Sequence, residues 1–566
     1  MPTFSSPTDS NRSSATASSG ATASSGVVGT EPIRSQGRRT RFALAALTAG
    51  SLLLAGCSGS AQADGEDAAP QNGGTLKIAY DVDPTCLDGQ QQGTNVTLNV
   101  TRQITDSLTD QDPETQEIKP WLAESWEVSD DAKTFTFHLR DGVKFQDGTD
   151  FTSASVKENF EAIQDLGAKA SLGQTYLDGL TTIKTPDKQT VTFTFDKSNA
   201  QFLQATSTMS LGFYSSDTLA KSAEERCTGD IIGTGPFEVK SFEHNKSIKL
   251  ARFDDYDWPS SIAKHEGPAH LDGIDFSIVP EASVRNGSLL SGQVDVDFSV
   301  QSQDEKTLEA QGLGIASRPN PGVVYNLVPK LTGKIAKDRS VRQALVKGID
   351  RKQLQSVISE HQAPATSVLA KSTPQYEDLS DLLAYDPDGA KKLLENDGWK
   401  VGDDGIRIKD GTPLSVTLTY WQDAPFLELV QQQLREIGFD LKLEKKTTAE
   451  VTAQQAESKE ELTFGNLTRA DGDVLRNYFG VDEQNGNARK KKEKLDDILA
   501  RTTSTLDEKK RTADFTEAAK ILIDEGYSIP IVELSGVIGT GKNVRDFTYE
   551  ASSRFQLYDT WLGGEQ

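Results

Sequence analysis

Residues 134–148 read Thr-Phe-Thr-Phe-His-Leu-Arg-Asp-Gly-Val-Lys-Phe-Gln-Asp-Gly. Phe135, Phe137 and Leu139 alternate with polar residues, the period of a strand with one face buried. Asp141-Gly142 and Asp147-Gly148 then break the chain twice, because glycine accepts the positive φ that tight turns need. The pattern predicts a helix over 151–163, and the alternating strand recurs at 188–196. Residues 107–229 therefore read as a small α+β subdomain. Further on, a strand at 414–421, a helix at 425–437 ended by Gly438 and a strand at 439–444 read as a βαβ unit, the building block of an α/β lobe. A first strand at 75–81, helices at 94–108 and 386–397 and a strand at 528–532 complete the outline.

The chain has 566 residues, too many for one hydrophobic core, so two or three domains are expected after processing. Hydrophobic residues make up 36% and charged residues 25%, with a mean hydropathy of -0.49. That balance supports a large soluble core and excludes a protein with many membrane spans. The net charge of -24 repels nucleic acid and anionic lipid. The basic run 489–494 accordingly reads as the start of a solvated helix. No Gly-x-Ser-x-Gly elbow, His-Glu-x-x-His pair or Gly-x-x-x-x-Gly-Lys-Ser/Thr loop is present. No enzyme activity and no cofactor are therefore expected.

The first 73 residues read as an address and a tether. Residues 5–30 are rich in Ser, Thr, Ala and Gly and cannot bury enough surface to order themselves. Arg38, Arg39 and Arg41 precede an apolar run over 42–56. That run is shorter than the roughly 20 residues a spanning helix needs, and it ends in small residues, as a secretory signal does. Its end, Leu54-Ala55-Gly56-Cys57, resembles the bacterial lipobox, which implies that Cys57 is the first mature residue and carries lipid. The paired arginines also resemble a twin-arginine signal, but their spacing to Phe42 departs from it, and the general secretory route is preferred. A start near Val27 would remove the long leading stretch. Residues 1–56 are thus expected as signal and 57–73 as a flexible lipidated tether.

The run from Leu122 to Trp126, followed by 134–148, closely resembles the signature of the family 5 extracellular solute-binding proteins, the dipeptide-, oligopeptide- and nickel-binding components of bacterial ABC importers. Gly233-Thr-Gly-Pro-Phe237, Leu290-Ser-Gly-Gln-Val-Asp295 and Asp338-Arg-Ser-Val-Arg-Gln-Ala-Leu345 match further landmarks in order. The resemblance spans residue 74 to the C-terminus. It implies a two-lobe, type II periplasmic-binding-protein-like α/β fold with the extra α+β subdomain in the first lobe and a ligand cleft between lobes. The first lobe would run over 74–315, the second over 316–532, with 533–566 returning to the first. It also implies a monomer that captures a peptide or peptide-like solute and delivers it to a permease with separate ATPase subunits. The protein would sit outside the cytoplasmic membrane, held there by lipid alone. An opine or metallophore carrier, a nickel-chelate carrier, and a chaperone or sensor on the same fold are the alternatives. Plain structural roles are preferred for the motif residues themselves: Trp121 and Trp126 as packing, Gly233 and Gly235 as a backbone bend, Arg339, Arg342 and Asp350 around a helix.

In peptide-binding relatives an acidic loop of the second lobe often pairs with the ligand's amino terminus. The matching segment here is 467–473, which keeps Asp471 and Asp473 but has Thr468 and Arg469 where the family often has an acidic residue. A guanidinium recognises carboxylate through a two-pronged charged hydrogen bond. Arg469 therefore points to a zwitterionic or acidic ligand, with Asp471 or Asp473 left for an amine; an internal ion pair of Arg469 with one of these aspartates is the equal alternative. Tyr80, Asp83, Tyr325, Asn326 and Trp421 stand at strand ends where cleft residues gather, and core roles suit them as well. With Cys57 lipidated, Cys86 and Cys227 remain; a disulfide is favoured over two buried thiols. No metal site is expected, since His138, His244, His265, His270 and His361 form no ligand cluster in the sequence.

Overall fold

The computed structural model of the protein describes residues 69–421, 424–447, 450–451, 454 and 460–564. The signal, Cys57 and most of the tether lie outside the described residues. Buried side chains gather in two large clusters. One is built from residues between Leu76 and Val296 together with Ile538–Tyr558, the other from residues between Val323 and Val532.

The first cluster sits on a seven-stranded sheet. Its order is Gly314–Pro319, Ser535–Thr540, Val296–Asp297, Thr75–Tyr80, Gly273–Ile278, Ser247–Arg252 and Phe237–Glu243. The first strand of the chain lies at the centre, parallel to both of its neighbours, and a central strand buried on both faces is one that reads as nearly continuous apolar sequence. A separate antiparallel sheet holds Ala123–Val128, Thr134–Leu139, Thr190–Phe195 and Leu180–Lys184. The alternating phenylalanines of the opening motif all face one way. Phe135 meets Phe202 edge to face at 5.0 Å and Phe193 meets Phe160 tilted at 4.6 Å between ring centroids, contacts that add to their area burial. Gly233 and Gly235 are where this part closes on the helix Asn95–Ile104. A Cβ on Gly233 would stand 2.1 Å from the Ile104 carbonyl oxygen, so only glycine fits.

The second cluster surrounds an antiparallel sheet of Leu462–Thr468, Gly322–Pro329 and Ile529–Val532. Ser415–Tyr420 runs parallel to Asp440–Lys445 with the helix Phe426–Glu436 between them, the expected βαβ unit. The chain passes between the clusters at 319–322 and again at 532–535. The two passages are joined by Asn320 N–H donating to the Leu534 carbonyl at 2.8 Å. One expectation fails locally. The basic run at 489–494 does not open on a solvated face: Arg489 is buried and pairs with Asp496 at 2.5 Å, and the helix Lys494–Thr502 begins only after it.

Asp106 lies fully buried under the first sheet, accepting from Trp258 Nε1 at 3.0 Å and Tyr256 Oη at 3.3 Å. Burial pushes its carboxyl up to about 8, against the opposing pull of Arg102. The folded protein thus holds a proton there that the unfolded chain, titrating near 4, has released. Stability from this group is full below pH 4 and falls as pH rises toward 8, by about 1.4 kcal/mol per pH unit at most. Asp106→Asn keeps a neutral side chain at every pH. The stability difference between variant and wild type, measured by urea unfolding from pH 5 to 8, is expected to move in the variant's favour as pH rises. A flat difference would refute an ordinarily neutral Asp106.

Candidate functional site

The strand Leu462–Thr468 runs into a loop that carries Arg469, Asp471 and Asp473 before the helix Val474–Phe479. This loop faces the first lobe: Gln111 Nε2 reaches the Ala470 carbonyl at 3.5 Å, and Gln204 holds Gln111 from behind at 3.1 Å. Farther along, Ala200 N–H donates to the Thr503 carbonyl at 2.8 Å. Between these contacts lies a cavity of about 480 Å³ with Asp178, Lys197 and Asn199 on one wall and Arg476, Glu483 and Lys492 on the other. Its charged groups are largely neutralised in place, as Lys197 pairs with Asp178, Arg476 with Glu483 and Lys492 with Asp482.

The two loop aspartates are engaged inside the second lobe. Arg511 grips Asp471 with both prongs at 2.6 and 2.7 Å, and both side chains are about 4% exposed. Arg476 grips Asp473 at 2.9 and 2.7 Å. The internal ion pair of Arg469 with Asp471 or Asp473 is therefore not formed, because each carboxylate already has its own arginine. For the same reason neither aspartate stands open to a ligand amine in this arrangement.

Arg469 is left half-buried. Its Nη1 donates to the Thr468 carbonyl at 2.6 Å, and it makes no ion pair with any described carboxylate. Two groups of the first lobe lie within reach of its charge. Tyr176 is buried, which raises its hydroxyl pKa, with Arg469 and then Arg554 opposing. Arg554 belongs to the returning C-terminal segment. Its Nη2 donates to Asn95 Oδ1 at 3.2 Å and its Nη1 stands 3.8 Å from Glu550, while its Nε is buried without a partner. Burial lowers the Arg554 pKa, Glu550 opposes this, and Arg469 lowers it further. The positive charges of Arg469 and Arg554, from opposite lobes, thus disfavour one another. A guanidinium without a described carboxylate, as Arg469 is, suits a planar carboxylate ligand.

The remaining candidate positions are built into packing. Tyr80 is fully buried against Phe276 and Phe298 at 5.0 and 4.6 Å. Asp83 accepts from the backbone of Thr85 and Asn245, fixing a turn. Asn326 is fully buried and bonds Val324, Gly465 and Ser528, so it joins neighbouring strands of the sheet; strand-end position overstated its access. Tyr325 stacks on Phe464 at 5.2 Å. Trp421 is half-buried and passes over Gly465, where a Cβ would stand 3.8 Å from the indole. Tyr176 and Arg554 were not anticipated, since neither sits in a motif and only the fold brings them to Arg469.

Cys86 and Cys227 are joined by a disulfide. His265 and His270 stack at 3.9 Å, and both nitrogens of His265 are committed, to Asp559 and to the Pro268 carbonyl. That pair is structural.

A two-lobed α/β chain, crossed twice and holding a charged cleft between its lobes, defines a binding protein for small solutes. The chain belongs to the bacterial extracellular solute-binding proteins, family 5, whose middle region matches residues 117–489. It is similar to the glutathione-binding protein GsiB of Escherichia coli (strain K12), 26% identical over 545 residues that cover 92% of this chain and 99% of that protein. Among solved structures it resembles NikA from Brucella suis in complex with Fe(III)-EDTA, with a TM-score of 0.75 at 21% identity, covering 86% of this chain and 100% of that one. It also resembles the oligopeptide-binding protein AppA from Bacillus subtilis in complex with a nonapeptide, with a TM-score of 0.74 at 21% identity, covering 88% and 100%. Among the described residues no helix is long and apolar enough to cross a membrane.

Proposed function

We propose that this protein captures a small peptide-like solute carrying at least one free carboxylate and delivers it to an ABC permease and its ATPase subunits for import. The observation that carries the reading is Arg469, half-buried on a loop that faces the first lobe, donating to the Thr468 carbonyl and carrying no described carboxylate. Glutathione, the solute in the name of the GsiB relatives, has two free carboxylates and an amine and meets that requirement. Carboxylate-rich chelates and opines meet it too, and Fe(III)-EDTA and agropinic acid accompany two structural relatives. In the two-state mechanism the passages at 319–322 and 532–535 are the hinge between lobes 74–315 and 316–532, with 533–566 closing back on the first. Solute draws the closed form only by binding it better than the open one. Cys57 anchors the monomer by lipid at the outer face of the cytoplasmic membrane, with 57–73 as the tether.

The test is calorimetric titration with glutathione, short peptides and their C-terminal amides. Arg469→Ala is expected to weaken a carboxylate ligand by roughly 10- to 100-fold, the span of a charged hydrogen bond. Amidating the same ligand should weaken wild type similarly and leave the variant nearly unmoved. Unchanged affinity in Arg469→Ala sinks direct contact. Protein extracted from membranes should carry lipid on Cys57, and an unmodified mass would overturn the anchor.

A further inference from the structure

A second constellation lies away from the cleft, beside the passages between lobes. Glu305 opens the helix Glu305–Ala310, in the chain ahead of the first passage. Glu360 and His361 belong to a loop that follows it. One carboxylate oxygen from each glutamate and one ring nitrogen of His361 all lie within 4.8 Å of one another.

Two features separate this from a chance cluster. Glu305 is 2% exposed, yet its Oε1 has no hydrogen-bond partner, and the buried Nε2 of His361 has none either. A buried polar atom left without a partner forfeits solvation with no bond to offset it. The loop is also held in place independently. Ser359 Oγ accepts the His361 N–H at 2.9 Å, Gln355 donates to the Ser359 carbonyl at 3.1 Å, and Gln362 donates to the Ser535 carbonyl at 3.2 Å. On the other side Asn286 donates to Asp304 at 2.7 Å, fixing the residue before Glu305. The exposed Glu360 is the one member with freedom to adjust.

We propose that Glu305, Glu360 and His361 bind a first-row divalent cation of the Zn²⁺ type, joining the two lobes beside their hinge. One imidazole nitrogen and two carboxylate oxygens suit such an ion better than Ca²⁺ or Mg²⁺, which prefer oxygen alone. At the usual metal–donor length of about 2.0–2.2 Å, tetrahedral donors stand roughly 3.3 Å apart. Bringing the three donors from their present spacing to that one would take side-chain adjustment, which the exposed Glu360 can make most readily. The ion would satisfy both orphaned atoms and cancel the charge of two carboxylates. Because its ligands come from chain on both sides of the first passage, the ion would restrain lobe opening.

The full chain, stripped with chelator, is titrated with ZnCl₂ by calorimetry, with visible spectra after Co²⁺ replacement. Wild type is expected to bind one equivalent that His361→Gln loses entirely and that Glu305→Gln weakens at least tenfold. His270→Gln should keep it. The Co²⁺ form should show the intense d–d bands of a four-coordinate site, absent in His361→Gln. Circular dichroism checks that each variant is folded, and His361, at a partly exposed loop position, can be replaced without opening a core. Failure of wild type to bind an equivalent, or an equivalent that survives His361→Gln, overturns the proposal. So does an equivalent lost equally in His270→Gln.

Discussion

Replacing Arg511 with leucine is expected to lower the stability of the second lobe by about 3–5 kcal/mol, the cost of stranding one member of a buried ion pair. Asp471 is 3% exposed and both of its oxygens rest on Arg511. Without that arginine its charge would face the low-dielectric core with only the Asp473 N–H, at 2.8 Å, to bond it. Arg511 also lies over the ring of Phe515 at 5.1 Å, and leucine retains much of that apolar contact. The loss is therefore electrostatic rather than a cavity effect. The double variant Asp471→Leu/Arg511→Leu separates the two causes. With no charge left to strand, it should recover much of the deficit, short of the bond to Asp473 N–H. Urea unfolding at pH 7 reads all three proteins. A single-variant cost under about 1 kcal/mol would mean that the pair is not desolvated as described.

This pair also explains why part of the site could be read from sequence and part could not. The loop 467–473 stands out in the sequence because its residue types depart from a family pattern. That neither aspartate is free is decided by Arg511 and Arg476, and Arg511 lies 40 residues further along the chain from Asp471, so no local pattern announces its partner. Tyr176 and Arg554 reach Arg469 only through the crossing of the chain between lobes, and their neighbours in sequence are unremarkable. The strands were easier. Phe135, Phe137, Val191 and Phe193 alternate because one face is buried, and period two survives any tertiary context. The strand Ala123–Val128 was missed because only Ala123 is fully buried, with exposed and half-buried residues after it. Asn326 misled for the opposite reason: a polar residue beside a passage between lobes suggests access, yet here it bonds Gly465 and Ser528 across a fully buried strand. His361 shows the same limit for clusters formed in space, since the glutamates near it are one neighbour and one residue 56 positions earlier.

Removing the disulfide, as Cys86→Ser/Cys227→Ser, is expected to cost the first lobe up to about 5 kcal/mol in the chain-entropy account, given its 141-residue separation. The bond joins the segment just after the first strand to the end of the short helix Ala223–Arg226. It therefore encloses nearly all of the α+β subdomain, so the reduced unfolded chain regains the freedom of one very long loop. Local contacts temper the loss. Arg226, next to Cys227, pairs with buried Asp88 at 2.8 Å and donates to Gln90 at 2.6 Å, so the two segments stay docked when the sulfurs part. The folded state should thus change little while the unfolded state gains entropy. The effect should also be confined, because the second lobe has its own core and neither cysteine belongs to it. Amide exchange is the discriminating measurement. Protection should fall across 86–227 and the seven-stranded sheet while the strands Gly322–Pro329 and Leu462–Thr468 keep theirs. Equal loss in both lobes would instead mean that they unfold as one cooperative unit, and the hinge would then be a link between lobes that cannot fold apart.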